Sequence, residues 1–262
     1  MVSRVPNNRK AESVDERLFI RSVARALRAL EAMGRAARPM SLSELAQAIE
    51  VDKSAAQRIT QTLLGLGYLE RDPRDGTIVL GKKLLDRSFD YLRSNPLIER
   101  ASPILLSLRE TTRERVDFSL FDGHSIIYAL RMQSKRETFF ATVAGRRIPT
   151  FSSAGGRACL ALLDPDEAEH IIKSSDRPSH TPRTITDPAV IMDRVAEARE
   201  QGYACALEES LIGEIVVAAA VRDGDRPVGA IHIAGSLSEW DEGTFRRRFA
   251  PLAVEGARAL SS

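Results

Sequence analysis

No run of about 18 apolar residues occurs in this 262-residue chain, so no membrane-spanning helix is expected. Cysteine is scarce. Cys159 and Cys205 are the only two, both in apolar stretches, which excludes a disulfide-stapled scaffold and predicts two buried thiols. Four scattered histidines follow no metal-ligand spacing, so no metal is expected. The N-terminal residues are polar and lack an apolar signal core, which leads to the expectation of a cytoplasmic protein. No G-K-[ST] follows Gly155-Gly156 and no G-x-S-x-G elbow occurs, which argues against a phosphate loop and a hydrolase nucleophile turn. No cofactor and no catalytic set is expected.

What is present is an ordinary globular composition with unevenly placed charge. Residues 1–95 hold 17 Lys and Arg against 12 Asp and Glu, a balance of +5; the rest holds 21 against 24, or −3. A basic first part on an acidic body suits a nucleic-acid-binding module joined to something else. The length exceeds the usual single-core size, so two domains are expected.

Residues 41–80 read SLSELAQAIEVDKSAAQRITQTLLGLGYLERDPRDGTIVL. Ser41 and Glu44 stand as S-x-x-E, a capping box in which each side chain satisfies a free backbone N–H of the other; Met40 and Leu45 occupy hydrophobic-staple positions. Leu42, Leu45, Ala46 and Ile49 share one apolar face. A second helix is predicted from Asp52 or Ser54, with Ser54 and Gln57 as a second capping box. Its inner face is Ala56, Ile59, Leu63 and Leu66, and Gly67 is its left-handed stop. The outer face carries Lys53, Ser54, Gln57, Arg58 and Gln61, with Ala55 beside them. Arg and Lys pair with guanine edges and phosphates, Gln with adenine, and Ser at a helix start reaches phosphate. Taken alone, this face is equally a solvated surface. A ribbon follows, with strands at 68–71 and 77–80 around Asp72-Pro73-Arg74-Asp75-Gly76, where Asp75-Gly76 is a hairpin signal. Two short capped helices, the tight Glu50-Val51 turn and the ribbon read as a winged helix-turn-helix. Double-stranded DNA is the expected partner. The candidate DNA-binding residues are Ser41, Lys53, Ser54, Ala55, Gln57, Arg58, Gln61, Arg71 and Arg74, the last two being surface charges on the alternative reading.

Residues 1–17 are expected to form a disordered polar tail. A helix follows with Ile20, Val23, Leu27, Leu30 and Met33 inward. The DNA-binding domain is assigned to 18–81 and a linker helix to 82–95, where Leu84, Leu85, Phe89 and Leu92 share a face. A second domain covers 96–262. It opens with a helix over 97–113 that packs Ile98, Ile104, Leu105 and Leu108. Strands at 116–121 and 126–130 form a hairpin across Asp122-Gly123, and a further strand spans 139–143. A short helix covers 158–163. Asp164-Pro165 and Asp187-Pro188 open two more helices, each with an N-cap acid and an N1 proline. Strands at 215–221 and 228–234 meet across Asp223-Gly224, and a terminal helix runs over 242–260. An antiparallel sheet surrounded by helices makes the class α+β.

The segments LSELAQAIEVDKSAAQRITQTLLGLGYLERD, LGKKLLD, GRRIPTFSSAGGRACLALL and GYACALEESLIGEIVVAAAVRDGDRPVGAIHIAG resemble IclR-type transcriptional regulators in order and spacing, over roughly residues 18–258. The resemblance implies an N-terminal winged helix-turn-helix, a linker helix and a C-terminal GAF-like effector domain. It also implies homodimers, often paired into homotetramers. YLRSNPLIERASP and TPRTITDPA are similar to the branch that controls aromatic-acid catabolism, the protocatechuate and 4-hydroxybenzoate regulators. Glu50 stands where many members carry a turn glycine, Glu214 where an apolar residue is common, and Ala219-Ala220 where Ala-Pro is frequent. His232 and Ala234 occupy positions that are often small or hydroxylic.

The resemblance also implies an effector site along Ser152-Ser153-Ala154-Gly155-Gly156-Arg157, where small residues let a ligand reach the backbone and helix-start amides attract an anion. Glu208 and Glu209 would head the opposite loop. By strand alternation Val216, Ala218, Ala230, His232 and Ala234 point inward. His232 would hydrogen-bond a carboxylate or phenol, and Phe118 and Tyr128 would supply apolar walls, although core packing explains these residues equally well. The candidate effector-binding residues are Phe118, Tyr128, Ser153, Ala154, Gly155, Gly156, Glu208, Val216, Ala218, His232 and Ala234. Arg131, Arg146, Arg147 and Arg157 are alternative anion partners, and Gly155→Leu is expected to exclude the effector. Ser153, His232 and Glu209 also contain the residue types of a hydrolase triad, so a small-molecule-processing enzyme with an accessory helix-turn-helix is the alternative. The expectation is a regulator of a catabolic operon that binds a DNA operator and senses a small organic acid, with an aromatic acid foremost.

Overall fold

The computed structural model describes residues 15, 17–133 and 143–262. Most of the expected tail at 1–17, and all but Val143 of the expected strand at 139–143, lie outside the described residues. The described chain parts into two compact units between Ser94 and Asn95.

The first unit contains α1 (Arg21–Ala36), α2 (Leu42–Ala48), α3 (Lys53–Gly65), β1 (Leu69–Arg71), β2 (Ile78–Leu80) and α4 (Lys83–Ser94). Its core gathers Ala29, Ala32 and Met33 of α1 with Met40, Leu45, Ile49, Leu63, Leu69 and Ile78. The face of α1 expected to point inward is largely outside: Ile20, Val23 and Leu27 are 63, 52 and 56% exposed. Small Ala29 and Ala32 let α1 approach its neighbours closely, and the Ile20–Leu27 stripe falls nearly half a turn away around the helix. The capping box of α2 is complete: Ser41 Oγ accepts the Glu44 N–H at 3.2 Å, and Glu44 Oε2 accepts the Ser41 N–H at 2.8 Å.

The cap of α3 is Asp52, whose Oδ1 accepts the Ala55 N–H at 2.8 Å. The expected Ser54–Gln57 box does not form, because the chain is still extended at Asp52 and Ser54 already lies inside the first turn. A carboxylate there also suits the positive end of the helix dipole. The buried face is Ala56, Thr60 and Leu63, while Leu66, expected inside, is 51% exposed. The turn before α3 closes on Glu50 at φ +56°, with the Val51 N–H bonded to Ala46 O and the Glu50 N–H to Gln47 O. The end of α3 repeats this pattern around Gly67 at φ +80°. A left-handed conformation costs a non-glycine residue roughly 1–2 kcal/mol, so Glu50 holds this turn against a strain that glycine would lack. The ribbon pairs Leu69 with Leu80 and Arg71 with Ile78. Its connection is a longer loop rather than a two-residue turn, closed by the Asp72 N–H to Thr77 O and the Gly76 N–H to Asp72 O.

The second unit contains α5 (Pro96–Thr112), β3 (Arg115–Asp122), β4 (Ser125–Met132), β5 (Arg147–Pro149), α6 (Ala154–Leu160), α7 (Pro165–Ser174), α8 (Pro188–Gln201), β6 (Ala204–Leu207), β7 (Glu214–Asp223), β8 (Arg226–Ser236) and α9 (Glu242–Leu260). Six antiparallel strands run in the order β5-β4-β3-β8-β7-β6. Helices α5 and α9 cover one face; α6, backed by α7 and α8, covers the other. This is the α+β arrangement expected of the C-terminal domain. The edge strands β5 and β6, of three and four residues, were not anticipated, since runs so short show no alternation. Helix α6 begins earlier than the predicted 158–163: Ser153 caps it, so Ala154, Gly155 and Gly156 are its first turn. Asp164 and Asp187 cap α7 and α8 ahead of their N1 prolines.

Candidate DNA interface and effector cavity

On α3, Lys53, Ser54, Gln57, Arg58 and Gln61 are all exposed, and Ala55 is half-buried. They span an arc of about 140° around the helix, opposite Ala56, Thr60 and Leu63. Among the described residues the side chains of Lys53 and Arg58 form no ion pair, and both are exposed. Ser41 is engaged in its capping box. The wing arginines are committed to the turn. Arg74 clasps Asp72 through Nη2–Oδ2 at 2.7 Å and Nε–Oδ1 at 3.0 Å, and Arg71 Nη1 donates to Gly76 O at 3.0 Å.

A cavity of about 20 Å³ lies between α6 and the β6–β7 loop, lined by Tyr128, Ser152, Ser153, Ala154, Ala206, Glu208, Glu209, Ser210, Glu214, Val216 and His232. That is room for about one water. Six of the candidate effector residues meet there: Tyr128, Ser153, Ala154, Glu208, Val216 and His232. Five do not. Phe118 is registered beside Ile231, whose side chain lies near Leu108 and α9 on the opposite side of the sheet. Ala218 is core under α6, and Ala234 sits further along β8, paired with Val216. Gly155 and Gly156 are small for internal reasons. A Cβ on Gly155 would fall 2.1 Å from His232 Cε1, and one on Gly156 would fall 2.3 Å from Thr150 O. Gly155→Leu therefore strikes the packed His232 ring rather than a ligand, and the expected selective exclusion of effector is withdrawn. Ser210 and Glu214 were missed because polar residues of a loop and a strand end carry no periodic signal.

The arginines near the cavity are already paired. Arg157 grips Glu209 through two bonds of 2.6 and 2.7 Å, with 1% and 3% of the two side chains exposed. Arg131 makes two 3.0 Å bonds to Asp117, and Arg115 bridges Asp117 and Glu214. Arg147 is tied to Asp122 and Ser125. Arg157 is thus no free anion partner. Among the described residues five buried polar atoms lack a partner, and three of them, Ser152 Oγ, His232 Nδ1 and Arg131 Nη1, belong to the cavity lining or to Arg131 stacked on its Tyr128. Such atoms are costly unless something fills them. The proposed triad of residue types does not assemble. His232 Nε2 bonds Ser119 Oγ at 2.7 Å, Glu209 is engaged by Arg157, and Ser153 Oγ accepts the Gly156 N–H. Cys159 is buried but Cys205 only half-buried, which corrects the expected pair of buried thiols. Burial pushes both thiols up, Cys205 to about 12, so neither is a ready nucleophile. Among the described residues no cluster of three or more His, Cys, Asp or Glu is placed to hold a metal ion, and no helix is long and apolar enough to cross a membrane.

Burial pushes the His232 pKa down to about 4, so at neutral pH it offers a neutral hydrogen bond and not the charged one expected. The unfolded chain takes up this proton near pH 6.5 and the folded chain only near 4. Stability from this group is therefore full above 6.5 and falls as the pH drops towards 4, by about 3 kcal/mol in all. Denaturant unfolding at pH 7 and pH 4 should show a loss in the wild type that is smaller by about this amount in His232→Gln. Equal losses in the two proteins would remove His232 as the cause.

Two family models match the chain. One described as "Bacterial transcriptional regulator IclR C-terminal" covers residues 89–262, and one described as "IclR helix-turn-helix domain" covers residues 22–73. The HTH-type transcriptional regulator XynR of Escherichia coli K12 is 26% identical over 246 residues, covering 92% of this chain and 98% of that protein. The Pca regulon regulatory protein of Pseudomonas putida is 25% identical over 244 residues, covering 92% and 83%. Among solved structures, a transcriptional regulator from Rhodococcus sp. RHA1 superimposes with a TM-score of 0.78 at 26% identity, covering 92% of this chain and 97% of that one. An IclR homolog from Microbacterium hydrocarbonoxydans, complexed with 4-hydroxybenzoate, superimposes with a TM-score of 0.74 at 22% identity, covering 92% and 97%. The latter likeness is one of fold.

Proposed function

The chain belongs to the IclR family of bacterial transcriptional regulators, and from that premise we propose that it controls a catabolic operon in response to a small organic acid, with an aromatic acid foremost. It is a DNA-binding regulator and not an enzyme. In this reading α3 lies in the major groove of a palindromic operator, with Lys53, Ser54, Ala55, Gln57, Arg58 and Gln61 toward the DNA and Ser41, Arg71 and Arg74 at the flanks. Residues 18–81 form the DNA-binding domain, 82–95 the linker helix and 96–262 the effector domain of a cytoplasmic homodimer or homotetramer. Exposed Leu85 and Phe89 on α4, a helix with no buried residue, and exposed Val23 and Leu27 on α1 support assembly from copies of the chain.

The observation that carries the effector reading is the cavity at α6, where Ser152 Oγ and His232 Nδ1 lie buried without partners. The oxygens of an acid would complete both. The aromatic preference draws support from the similarity to the Pca regulon regulatory protein and from the fold shared with the homolog that holds 4-hydroxybenzoate. Since the cavity admits about one water, such a ligand enters only as the β6–β7 loop gives way. Differential affinity for the closed and opened arrangements is then the physical source of the regulatory response. A thermal-shift screen with benzoate, 4-hydroxybenzoate, protocatechuate and aliphatic acids, repeated with operator DNA, tests the reading. At least one acid should stabilise the protein, and Ser152→Ala and His232→Ala should each weaken it by about 1 kcal/mol or more. An acid that binds both variants as it binds the wild type would place the site elsewhere.

A further inference from the structure

Among its described residues the first unit holds 14 Lys and Arg, and nine have side chains bound to a carboxylate or a backbone carbonyl. The other five, Arg21, Arg25, Arg28, Lys53 and Arg58, form neither an ion pair nor a side-chain hydrogen bond. Lys53 and Arg58 belong to the α3 face already described. The remaining three stand at i, i+4 and i+7 on α1, in one row along its first two turns, and all three are exposed. Among the described residues the nearest acid on α1, Glu31, is paired with Arg35. The first turn of α1 contains no acid, and its N-cap, Ile20, supplies no side-chain hydrogen bond to the open amides.

Like charges so spaced repel one another, so the row is favourable only when an anion lies along it. Its position is also distinct. On the α1 circumference the arginine row and the exposed Val23–Leu27 stripe are centred about 150° apart, so an apolar partner on that stripe would leave the row uncovered. From Arg21 to Arg28 the helix rises about 10 Å, and phosphates of one DNA strand recur about every 3.4 Å along the duplex axis, so the row matches about three phosphates. We propose that Arg21, Arg25 and Arg28 form a second DNA contact, which clamps the phosphate backbone without reading sequence and is separate from the α3 face. The proposal rests on DNA as the partner, not on base reading by α3.

Full-length protein is titrated, across a range of salt concentrations, against a duplex selected from a random-sequence pool and against a scrambled duplex of equal length. The variant Arg21→Ala/Arg25→Ala/Arg28→Ala should bind both duplexes at least tenfold more weakly. The slope of log affinity against log salt should shrink by about 0.9 for each lost contact, close to 3 in all. The ratio of the two affinities should stay at its wild-type value, and the triple Arg→Lys variant should keep most of the binding. A melting temperature equal to wild type would show that the fold is intact, as expected for three exposed side chains. Failure of the α3 reading would appear differently, as an unchanged duplex ratio in Lys53, Gln57 and Arg58 variants. An unchanged salt slope in the α1 variant, a loss confined to the selected duplex, or a change in oligomeric state alone would each overturn the proposal.

Discussion

Replacing Lys53, Gln57 and Arg58 together by alanine is expected to weaken operator binding by roughly two orders of magnitude or more while leaving the melting temperature in place. A side chain that reads a base edge contributes about 1–3 kcal/mol of discrimination, so three contacts together are worth about 3 kcal/mol or more, which is about two orders of magnitude. The fold should not suffer. All three are exposed, and the helix is held from its other side by Ala56, Thr60 and Leu63 and at its start by Asp52. The single variants separate the roles. Loss of a base contact relaxes preference at one base pair, whereas loss of a phosphate contact weakens all sequences alike and flattens the salt dependence. Fluorescence anisotropy on the operator and its single-base variants reads both. Wild-type operator affinity in the triple variant would end the assignment of α3 as the recognition helix.

The second large effect is expected in the effector domain. Arg157→Met should destabilise it by about 3–5 kcal/mol, which corresponds to a fall in melting temperature on the order of 10 °C. Arg157 ties α6 to the loop that carries Glu209, and its Nε also donates to Phe151 O at 2.9 Å. With the guanidinium gone, the Glu209 carboxylate stays buried, and among the described residues only the Ile185 N–H lies within hydrogen-bond distance, at 3.1 Å. The cost is that of an uncompensated buried charge rather than of two hydrogen bonds. Two further variants discriminate. Arg157→Lys should recover little, because an ammonium cannot reproduce the two parallel bonds. Arg157→Met/Glu209→Leu should recover most of the loss, since neither charge then remains. Differential scanning calorimetry on the four proteins is the measurement. A loss under about 1 kcal/mol in Arg157→Met would show that this pair does not hold the loop.

That pin matters for regulation because Glu209 both anchors the loop and lines the cavity. Widening a space that holds about one water means moving elements joined by this ion pair. In the proposed reading, ligand binding and loop position are coupled through this ion pair, which can be altered without touching the α3 face. The same geometry explains why anchoring a carboxylate by Arg157 is the wrong picture: its two terminal nitrogens are already matched to a carboxylate of the chain itself.

Much of the first unit was legible from local chemistry. The Ser41–Glu44 box, the Met40–Leu45 staple and the Gly67 stop each act across a few residues, so sequence spacing suffices to find them. Asp52 and Ser54 both stood open as the start of α3, because both are good caps; the backbone leaving the Glu50 turn decides for Asp52. The inward face of α1 was misjudged for a different reason. Periodicity finds an apolar stripe but not whether it is covered within one chain, and here small alanines make the internal contact.

In the effector domain, the Asp-Pro helix starts and the two Gly-containing hairpins were determined by sequence alone, for each is closed by groups two to four residues apart. The cavity was decided by tertiary structure. Arg157 meets Glu209 across 52 residues and Ser119 meets His232 across 113, pairings created by the register of β3, β7 and β8 and the docking of α6. Gly155 shows the division most clearly. Its identity signalled a close approach, but only the packed sheet shows that the approaching group is the His232 ring, because a missing side chain records how near a neighbour comes and not which neighbour it is.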